Sequence, residues 1–285
     1  MQETQMASYE STERERNQPL MSAGDNPFHR VNDRTVESVC TDIEAQDLVR
    51  FYFDTCVVTY RLLHRHTTEG WLESMLKDRR EGHQLSHSVG HARSAILLTI
   101  LAIATFRKSK FSDDPSATGT GLSLERSDHF FCTAMDMTDS EVGFPALESA
   151  QARLIQVLYL LQTSRMNKAW YTFGCAVQII SSLGLHRRRG RLLNSCSAGC
   201  PDYISLQCGR RVFWVAYIID KYLSVVFGRP RLFHDDEIDQ EFPDSVNDED
   251  MMTQDHSSWQ ATDECHIDSL IFHARYVEFL SPQEV

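Results

Sequence analysis

The chain has 285 residues, of which 42% are hydrophobic, 10% aromatic and 24% charged, and its formal net charge is −12. That composition suits a folded chain with a sizeable core and excludes collagen-like, disulfide-scaffold and wholly disordered classes. The acidic balance repels nucleic acid and anionic lipid at long range, so phosphate-backbone binding by the whole surface is not expected.

Residues 1–41 read as a disordered N-terminal arm: they are polar, carry Asn17, Pro19, Gly24, Asn26 and Pro27, and lack helical or strand periodicity. The first sixteen residues hold four Glu and two Arg without an apolar run, unlike a secretory or mitochondrial leader. From 42 onward a helical domain is expected to reach about 280. Val49, Tyr52, Phe53, Cys56, Val57, Tyr60 and Leu63 recur at helical spacing and predict a helix over 48–63. Arg61, His64 and Arg65 would then sit at its negative end.

A short helix is expected over 71–77. Another, over 91–106, is apolar on every side, yet too short for the roughly 20 residues of a membrane span. The stretch 109–145 carries Asp113, Asp114, Pro115, Gly119, Gly121, Gly143 and Pro145 and reads mostly as loop. Leu147, Leu154, Leu158 and Leu161 predict a helix ending near Gln162. Met166, Trp170, Phe173, Val177 and Ile180 line a second, stopped by Gly184, so the two form an antiparallel hairpin. A loop is expected over 188–205.

Cys208, Val212, Val215, Ala216, Ile219, Leu223 and Val226 stripe a helix over 206–227, ended by Gly228, Arg229 and Pro230. A further loop, over 234–262, precedes a last helix. No segment alternates with period two. The fold class is therefore all-α: an irregular multi-helix bundle built from antiparallel helical hairpins, with long loops.

Chemistry is sparse. The eight cysteines contain no C-x-x-C pair; Cys196, Cys200 and Cys208 cluster in a Ser/Gly/Pro loop and are loop or buried thiols rather than a zinc site. His83, His87 and His91 are spaced by four, which suits either a metal face or an exposed linker and helix start. The acidic run at 234–241 lacks the Gly and ordered ligands of a calcium loop and reads as a solvated face. No phosphate loop, G-x-S-x-G or H-E-x-x-H string occurs, so an enzyme is not expected and no catalytic or metal residue is assigned.

Trp170, then Gly184-Leu185-His186-Arg187, then Arg211 and Trp214, Asp220, and Gly228-Arg229-Pro230 run in that order. Asp236, Ile238, Asp239, Phe242 and Pro243 close the set. The ordered set resembles the fungal-specific transcription factor (middle homology) domain found downstream of zinc binuclear cluster modules. Phe51-Tyr52-Phe53 followed by Leu63-His64-Arg65 resembles its first helix and turn. The family's zinc cluster needs six cysteines in two C-x-x-C pairs with a basic stretch, and nothing between Met1 and Cys40 supplies them.

The resemblance implies a nuclear regulatory domain that controls transcription by binding other transcription proteins, a homologous regulator or a second copy, with an effector as a further ligand. DNA and zinc belong to a module not found in this sequence, no other cofactor is implied, and no membrane partner is expected. Alternatives are a stand-alone helical interaction module without DNA binding, or a small-molecule-binding protein. In the family the domain continues through further helices, so an apolar face is expected to lie open near the end of this chain.

The signature residues are expected to maintain the fold, with Trp170 and Trp214 burying aromatic area between them. Asp220 flanks an apolar stripe and is expected to pair with Arg229, Arg211 or Arg187. The sharper alternative is a regulatory pocket lined by Trp170, Trp214 and the Asp220 pair. Arg187, Arg188, Arg189 and Arg191 suit a solvated helix exit, a nuclear-import patch or a phosphate contact.

Overall fold

A computed structural model describes residues 25–29, 40–111, 119–188, 202–252 and 265–280. Among them the regular structure is helical, with no strand: α1 (Asp42–Phe51), α2 (Arg65–Arg80), α3 (His91–Phe111), α4 (Gly119–Asp139), α5 (Leu147–Gln162), α6 (Met166–Ser182), α7 (Tyr203–Phe227) and α8 (Asp268–Leu280). None of these helices is long and apolar enough to cross a membrane.

The Thr41 hydroxyl opens α1 by accepting the Glu44 N–H at 3.3 Å. Ala45, Leu48, Val49, Tyr52 and Phe53 form its buried stripe, the last two on a π-helical turn, Tyr52–Cys56, that ends the element. The expected continuation to 63 fails because the run Val57-Val58-Thr59-Tyr60 is β-branched and aromatic, and Val57 turns to extended angles. Arg61, His64 and Arg65 therefore do not complement a helix C-terminus. His64 instead caps α2, its Nδ1 accepting the Thr67 N–H at 3.3 Å. Arg65 is the first residue of that helix, and the Asp248 carboxylate accepts its N–H at 2.8 Å. Helix α2 is also longer than the expected 71–77.

Helix α3 is the centre of the molecule. Every residue from Ser94 to Thr105 is buried, as expected of a helix apolar on all sides. It packs against α1, α2, α4 and α5, and α5 in turn carries α6 and α7. Each fully buried Leu or Ile contributes about 1.5–3 kcal/mol relative to exposure, which makes this helix the main source of cohesion.

The loop expected over 109–145 is corrected: 119–139 is the helix α4, lying along α3. Its stripe contains polar residues, which hid it. Ser127 and Asp128 are fully buried beside Phe130, Phe131 and Ala134. The Ser127 hydroxyl reaches the Ala102 carbonyl and the Tyr159 hydroxyl, and Asp128 pairs with Arg165 at 2.7 Å.

Helices α5 and α6 form the expected hairpin through Thr163, Ser164 and Arg165. Gly184, at φ 65°, ends α6 in a Schellman turn: Gly184 N–H returns to the Ser181 carbonyl and Leu185 N–H to that of Ile180. Gly228, at φ 61°, ends α7 in the same left-handed region. Residues 229–252 then run back along α7 with two 3-10 turns, Asp235–Glu237 and Asp250–Met252. The loop expected over 188–205, and residues 253–262 of the loop expected over 234–262, lie largely outside the described residues, as do Cys196, Cys200, Arg189, Arg191 and most of 1–41.

Candidate functional site

Helix α7 grips the segment after it rung by rung. Polar residues along α7 take residues of the returning chain, in antiparallel order from Gln207 to Lys221, with Arg211 reaching outside that order to Asp248. At the start, the Gln207 amide and Tyr203 hydroxyl donate to Asp244 at 2.6 and 2.9 Å. Arg210 pairs with Glu241 and, at 2.9 Å, with Asp244, while Arg211, with no exposed side-chain surface, reaches Asp248 at 2.6 Å.

One turn on, Trp214 Nε1 donates to the Glu241 carbonyl at 2.9 Å, and its ring stacks on Phe242 with centroids 4.2 Å apart. Tyr217 and Lys221 then hold Asp235 at 2.8 and 3.0 Å. Burial raises the Asp235 carboxyl, but the hydrogen bonds from Lys221 and Tyr217 outweigh it and hold the group below its ordinary range. Asp235 and Glu241 are thus pinned, while His234 to Glu237 stay exposed, as expected of a solvated face.

Asp220 makes no ion pair with Arg229, Arg211 or Arg187. Its carboxylate accepts the backbone N–H groups of Leu232 and Phe233, all at 3.0 Å. Burial raises its pKa, with those two amides pulling the other way. Two of the expected partners are engaged elsewhere, Arg211 on Asp248 and Arg229 on the Asn167 amide oxygen at 2.9 Å, and the backbone carbonyl of Arg187 accepts Gln240 at 3.2 Å.

Trp170 is half-buried and takes the Arg229 guanidinium over its ring at 5.6 Å, so it and Trp214 have different neighbours instead of each other. Leu185 and His186 belong to the same stitching, for their carbonyls accept Gln240 at 2.7 Å and the Asp239 N–H at 3.2 Å. Pro230 lies directly after the Gly228 stop. The structure therefore brings Leu185, His186, Arg187, Arg211, Trp214 and Asp220 to one seam. Trp170, Gly228, Arg229 and Pro230 sit at its far end.

Among the described residues, metal chemistry finds no donor set. His83 and His87 stack at 4.6 Å in the turn before α3, and His91 begins the helix itself. Among the described residues no three His, Cys, Asp or Glu side chains converge as a metal needs. The described cysteines are dispersed, and Cys208 is buried with its thiol pushed up to about 11. Zinc of the family's binuclear kind does not fit these residues.

Open space lies on the other side of α7. Between its C-terminal half and α8 is a cavity of about 460 Å³ walled by Tyr60, Ile218, Tyr222, Val226 and Val277. Lys221, Arg231 and His273 also face it, and among the described residues no carboxylate lines it. Burial lowers the His273 pKa. A second cavity of about 320 Å³ lies between the π turn and α5; Tyr60 and Tyr222 line both, and Arg107 is the charged group in the second. Neither cavity touches Trp170, Trp214 or Asp220, so the pocket expected around those residues is not where these spaces lie.

Around the rim the apolar surface continues outward. Val225 is 85% exposed, Phe272 74% and Phe279 84%, with Tyr222, Val226 and Tyr276 also exposed. Val226 thus leaves the inward stripe assigned to it. Phe272, Tyr276 and Phe279 step by four and three on α8, opposite the buried Leu270 and Ala274. An open apolar face near the end of the chain was expected from the sequence, whereas the cavity was not, because three distant pieces build it. Its one available signal was the second apolar set on α7, Tyr222, Val225 and Val226, at spacing three and four.

Residues 49–283 match the fungal specific transcription factor domain. The chain is 30% identical over 202 residues to a transcriptional regulatory protein of Saccharomyces cerevisiae, covering 70% of this chain and 25% of that protein. It is 28% identical to Transcription factor FBD3 of Gibberella moniliformis over 204 residues, 71% of this chain and 25% of the relative. A third relative, Pyrimidine pathway regulatory protein 1 of Saccharomyces cerevisiae, is 22% identical over 56% of this chain and 14% of its own length. The chain spans about a quarter of the length of the first two. No solved structure matches.

Proposed function

The chain belongs to the fungal specific transcription factor domain family, and from that premise we propose that it is a regulatory segment acting in the nucleus by binding other transcription proteins, a homologous regulator or a second copy of itself. The observation that carries the reading is the exposed apolar face of α8 and the end of α7. Phe272, Tyr276 and Phe279 share one face of α8 and are open to water, as is Val225 at the end of α7, the pattern of a surface that meets a partner. The family and the named relatives are transcription regulators rather than enzymes. We read the signature residues Trp170, Gly184, Leu185, His186, Arg187, Arg211, Trp214, Asp220, Gly228, Arg229 and Pro230 as holding α6, α7 and the returning segment together, within one unit over 42–280. Contact with DNA would come from another module, since a charge of −12 opposes phosphate binding.

The test fuses the chain to an unrelated DNA-binding module and reads a reporter gene in a fungal cell. The expected result is a change in reporter output that Phe272→Glu with Phe279→Glu removes while the circular dichroism and melting of the purified chain stay unchanged. A reporter indifferent to the tethered chain, together with a purified chain that is monomeric and has no affinity for a relative, overturns the reading.

A further inference from the structure

We propose that the cavity between the π turn and α5 binds a small apolar carboxylic acid in its ionised form, with the carboxylate at Arg107 and the Tyr52 hydroxyl and the hydrocarbon body against Ile103, Leu158 and Ile219. This goes beyond the partner-binding reading and does not depend on it, because the occupant is a small molecule and the site lies within one chain.

Arg107 selects the head. Its Nε donates to the Gln162 amide oxygen at 3.1 Å, a neutral partner, and among the described residues no carboxylate pairs with it or lines the cavity. Its two terminal nitrogens have no protein acceptor among those residues. No thiolate answers the charge either: burial pushes the Cys56 thiol up to about 11, with Arg107 pulling the other way, so the sulfur stays protonated at neutral pH. The end of α3 offers roughly half a negative charge, and Lys108 and Lys110 in the last turn share it. The guanidinium is therefore the sole charge on the described wall, and it is met only by an amide.

Tyr52 points to the same ligand independently. It is only 3% exposed and lines the cavity, yet its hydroxyl has no hydrogen-bond partner among the described residues, where a buried hydroxyl is normally satisfied. Burial raises its pKa, so the phenol keeps its proton and can donate it to an acceptor. Tyr52 and Cys56 are the first and last residues of the π turn, so the stretch that leaves α geometry is the one that builds this wall. Ile103, Leu158 and Ile219 are buried and supply hydrocarbon for the body. A volume of about 320 Å³ lies at the lower end of small-molecule sites, which keeps that body small. A neutral apolar occupant would leave Arg107 and the Tyr52 hydroxyl unpaired against it, and a cationic one would be repelled. A carboxylate accepts from both, and the guanidinium fork suits its two oxygens.

Calorimetric titration of the full chain with 4-phenylbutanoate tests this against 4-phenylbutanol and 4-phenylbutylammonium, which keep the body and change the head. One saturable site for the acid is expected, with the alcohol about tenfold weaker or more and the ammonium weaker still. Arg107→Gln should weaken the acid about tenfold and leave the alcohol unchanged. Tyr52→Phe, which keeps the ring and removes only the hydroxyl, should weaken the acid about threefold. Leu161→Trp, which fills the space, should remove acid and alcohol alike. Circular dichroism of each variant establishes folding, and Tyr52→Phe with Leu161→Trp keeps the test intact if Arg107→Gln does not fold. Equal binding of the three heads, or absence of any saturable site for the acid, overturns the proposal. So does a folded Arg107→Gln or Leu161→Trp variant that binds the acid as the parent does, because the site would then lie elsewhere.

Discussion

Arg211 on α7 and Asp248 in the returning segment meet at 2.6 Å, and the same carboxylate accepts the first N–H of α2 at 2.8 Å. One acidic residue thus ties the longest helix to the start of another that is far away in sequence. His64, the cap of α2, joins them through its Nε2, 3.0 Å from the Asp248 carbonyl.

Because the Arg211 side chain is fully buried and that of Asp248 only 12% exposed, removing one partner strands a charge away from water. Arg211→Ala is expected to destabilise the chain by about 3–5 kcal/mol in urea unfolding. Arg211→Met combined with Asp248→Asn leaves no unpaired charge and should lose less than Arg211→Ala alone. Equal losses would mean that shape rather than charge holds this junction.

Asp220 gives a pH signature of unusual sign for a carboxylate. Burial raises its folded-state pKa, so between its unfolded and folded values the native chain binds more protons than the unfolded one. Its contribution to stability is present below the unfolded pKa and falls as pH rises through the folded one. Asp235, held low, works in the opposite direction, gaining as pH rises through its own lower window. Asp220→Asn removes only the first effect. The difference in unfolding free energy between parent and Asp220→Asn should therefore move in favour of the variant as pH is raised from about 4 to 7. A difference that is flat or moves the other way would show that the Leu232 and Phe233 amides outweigh burial.

Gly228 tests the helix stop. At φ 61°, with nothing within 4 Å of the position of a Cβ, its requirement is conformational and not steric with neighbours. Gly228→Ala should cost about 1 kcal/mol, and Gly228→Asn less, because Asn tolerates left-handed angles. Thermal melts of the two variants check the order.

Most helices were legible because their apolar residues keep one face: the stripes of α5, α6 and α7 needed no tertiary information. Helix α4 was not, since Ser127 and Asp128 occupy core positions and look like loop residues until Tyr159 and Arg165 arrive from α5 and the turn after it. The signature around α7 was visible as a set, but the partner of Asp220 was not. A carboxylate beside an apolar stripe suggests an arginine, whereas the returning backbone supplies two N–H donors at lower cost. The cavity was invisible for a plainer reason: Tyr60, Lys221 and His273 are separated by more than a hundred residues on one side and fifty on the other.

Residues 25–29 illustrate the same limit and give the last prediction. Helix α6 begins after Arg165, which has no side chain able to accept the first amides. Asp25, some 140 residues earlier, does so instead: its carboxylate accepts the N–H of Asn167 at 3.1 Å and of Lys168 at 2.7 Å. Arg165 answers by reaching the Asn26 carbonyl at 3.1 Å and lying 4.3 Å over the ring of Phe28, which stacks on Phe131 at 5.4 Å. The segment is thus a cap supplied from a distance and fastened by an aromatic plug. Asp25→Ala should cost about 1 kcal/mol, the usual value of a lost N-cap. By hydrogen exchange the Asn167 and Lys168 amides should lose about fivefold in protection while the amides of α3 keep theirs. Phe28→Ala should produce the same local loss without touching the cap directly, because it loosens the plug that holds Asp25 in place. Unchanged exchange at Asn167 and Lys168 in both variants would mean that the start of α6 is secured by the hairpin turn alone.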